Sequence, residues 1–215
     1  MQGTRLRLCI GTLHVALLTG LLFLLPIPAP ADSGRETPTA VVRATLDAVF
    51  HILDDPHLKP ATEAKQRRHQ LEQVIAERFD YEEMSKRTLA AQWKALSDGD
   101  RREFVQLFKA FLSDQYAARI EGYAGERVVY LSERTANGYA EVRTRLVSDK
   151  LDLPMDYRLT GKHGTWYAYD VIVDGVSLVM NYRSQFTKIM AESSFQELLR
   201  RLRERPTKDG GPPKT

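Results

Sequence analysis

The rhythm of apolar residues changes near Gly122. Before it they recur every three or four positions, and after it every second position. Val42, Leu46, Val49, Phe50 and Leu53 form one stripe and predict a helix over 38–53, with Pro38 in its first turn. Asp54-Asp55-Pro56 ends it. Leu71, Val74, Ile75 and Arg78 share one face of a second predicted helix over 61–79. Its first half is polar and carries the basic run Lys65, Arg67, Arg68 and His69. Asp80-Tyr81-Glu82-Glu83 opens a short third helix, and Ser97-Asp98-Gly99-Asp100 a fourth over 101–120. On the fourth, Phe104, Leu107, Phe108, Phe111, Leu112, Gln115 and Tyr116 make the widest and most aromatic face in the chain.

Period two takes over at Arg127–Glu133, the first predicted strand. Asn137-Gly138 marks a hairpin turn. In the second strand, 139–148, Ala140, Val142, Thr144 and Leu146 oppose Glu141, Arg143 and Arg145. In the third, Leu151, Leu153, Met155, Tyr157 and Leu159 oppose Asp152, Pro154, Asp156 and Arg158. Pro154, which lacks an amide hydrogen, implies an edge or a bulge at its place. A turn over 161–164 leads into a fourth strand from Trp166. Tight connections in series give an antiparallel meander with one apolar face.

The stretch WYAYDVIVDGVSLVMNYRSQF, Trp166 to Phe186, joins the two regimes. It reads as strand, turn at Asp174-Gly175, then a helix with Leu178, Val179, Tyr182, Phe186 and Ile189 on one face and Ser177 as its N-cap. Such a helix is thrown back across the sheet. Ser194 caps a last helix with Phe195, Leu198, Leu199 and Leu202 inward, ended by Pro206. The expected fold is α+β: a four-stranded antiparallel meander wrapped by about six helices over 38–205. Residues 32–37 read as a linker and 206–215 as a disordered tail.

Within that stretch the pattern W-x-x-x-D-V-x-V-x-G-V-S-L-V-x-N-Y-R-S-Q-F resembles the signature of the MlaC family of toluene-tolerance auxiliary proteins. A second block, Phe79 to Leu112, is also similar, and the likeness spans about 38–204. Members commonly carry Leu-Gly before the tryptophan of that block, where this chain has Leu89-Ala90-Ala91. The resemblance implies a phospholipid held tails-inward in an apolar cavity between sheet and helices. It further implies a shuttle that exchanges lipid with an inner-membrane ABC transporter bearing an MCE-domain protein and with an outer-membrane lipoprotein complex. No resident cofactor and no catalytic group are implied; the phospholipid is cargo.

The first 31 residues change how charge is read. Arg5 and Arg7 precede an apolar run from Leu8 to Leu25, then Pro26, Pro28 and Ala29-Pro30-Ala31. This is the pattern of a signal peptide cleaved after Ala31, and it predicts export from the cytoplasm; together with the resemblance it implies a periplasmic protein. An uncleaved anchor is the alternative. Of 31 basic and 28 acidic residues, two arginines and no acids fall in that leader, so the remainder is near neutral and gives no reason to expect nucleic acid. The single cysteine, Cys9, lies inside the apolar run, which leaves the exported chain without thiol or disulfide chemistry.

Candidate chemistry is sparse. Asp54-Asp55-Pro56-His57 is the only local cluster of metal-ligand types, and it lacks a second pair. The strand carboxylate Asp170 is the best acid–base candidate, near Tyr157 or Tyr167. The competing reading is a structural pair with an arginine such as Arg183. Wide apolar stripes either fill an ordinary core or leave a slot, and periodicity does not separate these. On the reading that the resemblance implies, the slot is lined by Val129, Val142, Leu146, Leu153, Met155, Tyr169 and Val171 from the sheet. Phe104, Phe108 and Phe111 come from the aromatic helix. The alternative inner row on the fourth strand is Trp166, Ala168, Asp170 and Ile172. Tyr139, Arg143 or Lys150 could meet a phosphate at the mouth; the competing reading is that each is simply solvated. The rival functions are an exported enzyme using Asp170 and a non-lipid adaptor with a filled core.

Overall fold

Five antiparallel strands lie side by side in chain order: β1 (Arg127–Ala136), β2 (Tyr139–Val147), β3 (Asp152–Lys162), β4 (Thr165–Val173) and β5 (Val176–Ser177). The computed structural model describes residues 36–204, which fall within one compact unit. The expected leader with its cleavage position, Cys9, most of the linker and the tail lie outside the described residues. Three of the connections are two-residue turns with both residues at positive φ: Asn137-Gly138, His163-Gly164 and Asp174-Gly175. That backbone twist matches the twist of paired strands, which is why each turn ends in glycine. The last turn adds the two-residue β5 to the four strands expected.

Of the edge or bulge expected at Pro154, the structure shows no bulge and a local edge on its amide side. Pro154 sits opposite Arg145 in a regular stretch of the β2–β3 pairing. Its carbonyl accepts from the Asp174 amide at 2.9 Å. The missing amide hydrogen points the same way, toward the turn where β4 has ended, so no ladder bond is lost. The irregularities lie elsewhere. One interrupts β1 between Tyr130 and Ser132 and leaves Leu131 56 % exposed. The other interrupts the β3–β4 pairing, so that Tyr169 is an extra residue between Ala168 and Asp170. A bulge shifts the alternation downstream of it.

The described residues form seven α-helices beside the sheet: α1 (Pro38–Asp54), α2 (Ala64–Arg78), α3 (Tyr81–Leu89), α4 (Gln92–Ala95), α5 (Asp98–Glu121), α6 (Leu178–Glu192) and α7 (Phe195–Glu204). Their starts are chemically marked. Asp80 accepts from the Glu83 amide at 2.9 Å. Ser97, Ser177 and Ser194 accept from the amides of Asp100, Met180 and Glu197, each at 3.1 Å. The capping serine places the start of α5 at Asp98, ahead of the expected Arg101. The four-residue α4 was not expected. It arises because α3 stops at Ala90, whose φ of 50° and ψ of −119° break the helix.

The apolar interior forms three clusters. One is the helical bundle of α3 to α7, built on Met84, Phe104, Phe108, Tyr182, Phe186 and Leu198. A second joins α1 to the sheet through Val42, Ala140, Val142, Tyr157 and Leu159. The third packs α1 on α2 through Val49, Ile52, Leu53, Leu58 and Leu71. The outer edge of β4 is closed by a parallel bridge from Phe79 to Ala168, by the Asp80 amide donating to the Ala168 carbonyl at 2.7 Å, and by β5.

Candidate functional site

Register decides which strand residues face α1. Pairing places Val128, Leu146 and Leu153 in one cross-strand row, Tyr130, Thr144, Met155 and Val173 in the next, and Val142, Tyr157 and Val171 in a third. Deeper along the sheet, Val142, Tyr157 and Leu159 are buried against α1. Toward the other end, Val128, Leu146, Leu153, Met155, Val171 and Val173 are only half-buried. Val171 packs against both the bundle cluster and the α1–sheet cluster, so it marks the seam between them. Leu46 and Phe50 of α1, and Phe111 and Tyr116 of α5, are half-buried apolar or aromatic neighbours of these clusters.

Several expected positions lie elsewhere. Val129 pairs with Arg145, on the face opposite the Val128 row. The run Val128-Val129-Tyr130 is apolar throughout, so alternation alone did not choose between its faces. Tyr169 is the bulged residue. Its ring meets Tyr139 edge-on at 6.2 Å, and the Arg87 guanidinium lies over both rings at 4.1 and 5.0 Å. Because of the bulge, the inner row of β4 combines the two rows considered from sequence: Trp166 and Ala168 before it, Val171 and Val173 after it. Phe104 and Phe108 are buried at the centre of the bundle, packed on Phe186. The helix lying over the sheet is therefore α1, and the aromatic face of α5 is turned mainly to α6 and α7. Phe111 stands at the rim of that packing, edge-on to Tyr182 at 5.6 Å. Val142 is fully buried. Sequence reasoning passed over Val128 and Leu46 beside the α1–sheet core, although Leu46 stood in a helix stripe.

The charged candidates have structural work. The Asp170 carboxylate accepts from the Ser177 hydroxyl at 2.6 Å, the Val179 amide at 3.0 Å and the Arg158 guanidinium at 3.3 Å. It caps α6 jointly with Ser177 and fixes that helix to β4. Its arginine is Arg158 rather than Arg183, whose fork donates to the Arg87 carbonyl at the end of α3 at 2.6 and 2.9 Å. The family-like stretch is thus largely architectural: a capped turn, a core helix face and an arginine clasp. Tyr139 and Arg143 lie on the outer sheet face, where Arg143 donates to Glu141 at 3.0 Å. Lys150 is exposed in the β2–β3 turn beside the Leu146–Leu153 end. Asp55 accepts from the His57 amide at 2.8 Å, so that cluster shapes a turn. Among the described residues no group of three or more His, Cys, Asp or Glu is placed to hold a metal ion.

Burial raises several tyrosine hydroxyl pKa values. Tyr81 is pushed up to about 12. Tyr157, whose hydroxyl donates to the Met155 sulfur at 3.0 Å, and Tyr182, within 3.5 Å of the Tyr116 hydroxyl, go further up for the same reason. Both stay neutral and serve as hydrogen-bond donors rather than bases. Two open grooves, of about 220 and 340 Å³, lie beside α5 and are lined by residues such as Arg68, Asp114, Trp93 and Arg101. No described helix is long and apolar enough to cross a membrane.

Comparison with known proteins adds three findings. The family model described as MlaC protein matches residues 43–204. A curated relative from Haemophilus influenzae, the intermembrane phospholipid transport system binding protein MlaC, is 20 % identical over 124 residues, 55 % of this chain and 58 % of that protein. The match thus spans under six tenths of the relative's length. A phospholipid-binding protein from Ralstonia solanacearum, solved in complex with a phospholipid, superposes with a TM-score of 0.68 at 23 % identity, covering 77 % of this chain and 94 % of that one. At that identity the likeness establishes the fold.

Proposed function

Because the chain belongs to the MlaC family, we propose that it is an exported phospholipid-binding protein that carries lipid through an aqueous compartment. It needs a dry surface for acyl chains and no reacting group. The observation that carries this reading is the seam. An apolar sheet row at Val128, Leu146 and Leu153 is left half-buried, and the bundle and the α1–sheet core are separate clusters that share Val171 as a neighbour. The relative from Haemophilus influenzae and the lipid-bound structure from Ralstonia solanacearum support the same cargo by their descriptions.

The energetics fit a carrier. A buried methylene is worth about 0.8 kcal/mol, so two acyl chains of roughly 30 methylenes would cost on the order of 20 kcal/mol to expose. A six-residue strand is roughly 20 Å long, close to an extended chain. Since bilayer and protein both solvate the tails, transfer between them is near neutral. The proposed exchange partners are an inner-membrane ABC transporter bearing an MCE-domain protein and an outer-membrane lipoprotein complex, with export through the leader over 1–31. The enzymatic alternative has little support, because the Asp170 carboxylate already accepts from three donors.

Leu153→Arg tests the reading. The side chain is half-buried at the end of the row, so an arginine reaches water and the fold survives, whereas Val142→Arg would place a charge in a fully buried position. The expected result is loss of co-purifying phospholipid with a thermal midpoint no lower than that of the lipid-stripped wild type. Lipid retained at the wild-type level would reject this placement of the tails.

A further inference from the structure

On the reading that the seam holds acyl chains, its sheet wall contains a group that an oxidant can change. Met155 stands in the cross-strand row of Tyr130, Thr144 and Val173, next to the row of Val128, Leu146 and Leu153. Its side chain is half-buried and packs against the α1–sheet cluster. The other methionines of the described residues have different settings. Met84 is fully buried, Met190 packs on the bundle, and Met180 is 54 % exposed on the first turn of α6. The one cysteine of the sequence, Cys9, lies outside the described residues. Thioethers are therefore the oxidisable sulfur of the folded unit.

Met155 is also the methionine with a hydrogen-bond donor on its sulfur. The Tyr157 hydroxyl donates to that sulfur at 3.0 Å. Burial keeps this phenol neutral, so it is a standing donor, and a thioether is a weak acceptor for it. The Thr144 hydroxyl donates to the Met155 carbonyl and fixes the strand at this point. One sulfur lone pair is thus engaged by Tyr157, and the second is left for reaction. Half-burial decides who can reach it. A molecule the size of a peroxide can approach an uncovered wall, whereas a bound acyl chain would cover it.

We propose that Met155 is an oxidation site through which a peroxide switches off the empty lipid slot. The step is a two-electron oxygen transfer. The free sulfur lone pair attacks one peroxide oxygen, and the S–O bond forms as the O–O bond breaks. The leaving hydroxide takes the proton of the transferred oxygen and departs as water, so the sulfur is oxidised and the peroxide reduced. The sulfoxide oxygen is polar where the thioether was apolar. The Tyr157 hydroxyl, already beside it, donates to it and keeps the new dipole paired within the fold. An acyl chain pressed on that oxygen offers it no hydrogen bond and strips it of water, which weakens tail binding.

The test oxidises the protein before offering lipid. Lipid-stripped protein is treated with hydrogen peroxide, freed of it, and incubated with vesicles of dioleoyl phosphatidylglycerol. Oxidised methionines are located by peptide mass, and phospholipid bound per chain is counted. The expected result is one added oxygen on Met155 and an uptake that falls about tenfold. Methionine sulfoxide reductases of both stereospecificities restore it. Each variant is compared with itself untreated: peroxide should cost Met180→Leu as much uptake as the wild type and cost Met155→Leu none. Protein loaded with lipid before treatment should keep Met155 reduced while Met180 is oxidised. Oxidation should also lower the thermal midpoint further in Tyr157→Phe than in the wild type, and equal shifts would overturn the part given to Tyr157. Full uptake by protein oxidised at Met155, or equal peroxide losses in Met155→Leu and wild type, overturns the switch and leaves the lipid-carrier reading intact. No uptake by the untreated wild type overturns both.

Discussion

Ala90 holds a conformation that its side chain resists. With φ 50° and ψ −119°, its Cβ meets the backbone in a region open in practice to glycine. This is the position where similar proteins commonly carry Leu-Gly. Replacing Ala90 by glycine removes a strain of about 1 kcal/mol, which for a domain of this size is a rise of about 3 °C in the thermal midpoint. A midpoint that falls would show that the turn prefers alanine. At this scale the sequence was partly legible. The capping residues Asp80, Ser97, Ser177 and Ser194 were readable because each role depends on one short side chain and its own backbone. The partner of Asp170 was not, since Arg158 reaches it across a strand pairing that no local pattern encodes.

Among the elements, strands and helices followed their periods, but two bulges redistributed their faces. A period of two assumes that no residue is extra. Tyr169 is, so the inner row of β4 changes parity at that point, and Tyr169 itself turns to Arg87. Likewise the aromatic face of α5 predicted a buried surface correctly without saying against what. It meets other helices, and α1, with a narrower stripe, covers the sheet. The last helix offers a test at this scale. Hydrogen bonds from Arg200 and Arg201 hold the Glu197 carboxyl down to about 2 from an ordinary value of 4.5. A carboxylate depressed in the folded state stabilises above its unfolded pKa, and the contribution is lost as pH falls from about 4.5 toward 2. The stability gap between wild type and Glu197→Gln should be constant above pH 5 and close across that window. A gap that persists at pH 2 would mean the ion pairs contribute nothing, as exposed pairs often do.

For the molecule as a whole, the arrangement matters more than any single group. The bundle is a well-packed body centred on Phe104, Phe108 and Phe186. The sheet, with α1 over its deeper rows, is another. Their contact at Val171 leaves the Val128, Leu146 and Leu153 end partly bare. Periodicity revealed plenty of apolar surface but not its division into separate clusters, because clustering depends on crossing angles and strand register rather than on composition. The most direct measurement is chemical. Protein freshly purified from its native compartment, without detergent, is weighed by native mass spectrometry and then extracted with organic solvent. The account predicts a mass increment and an extract that agree on one glycerophospholipid per chain. Chains of bare polypeptide mass with an empty extract would contradict it.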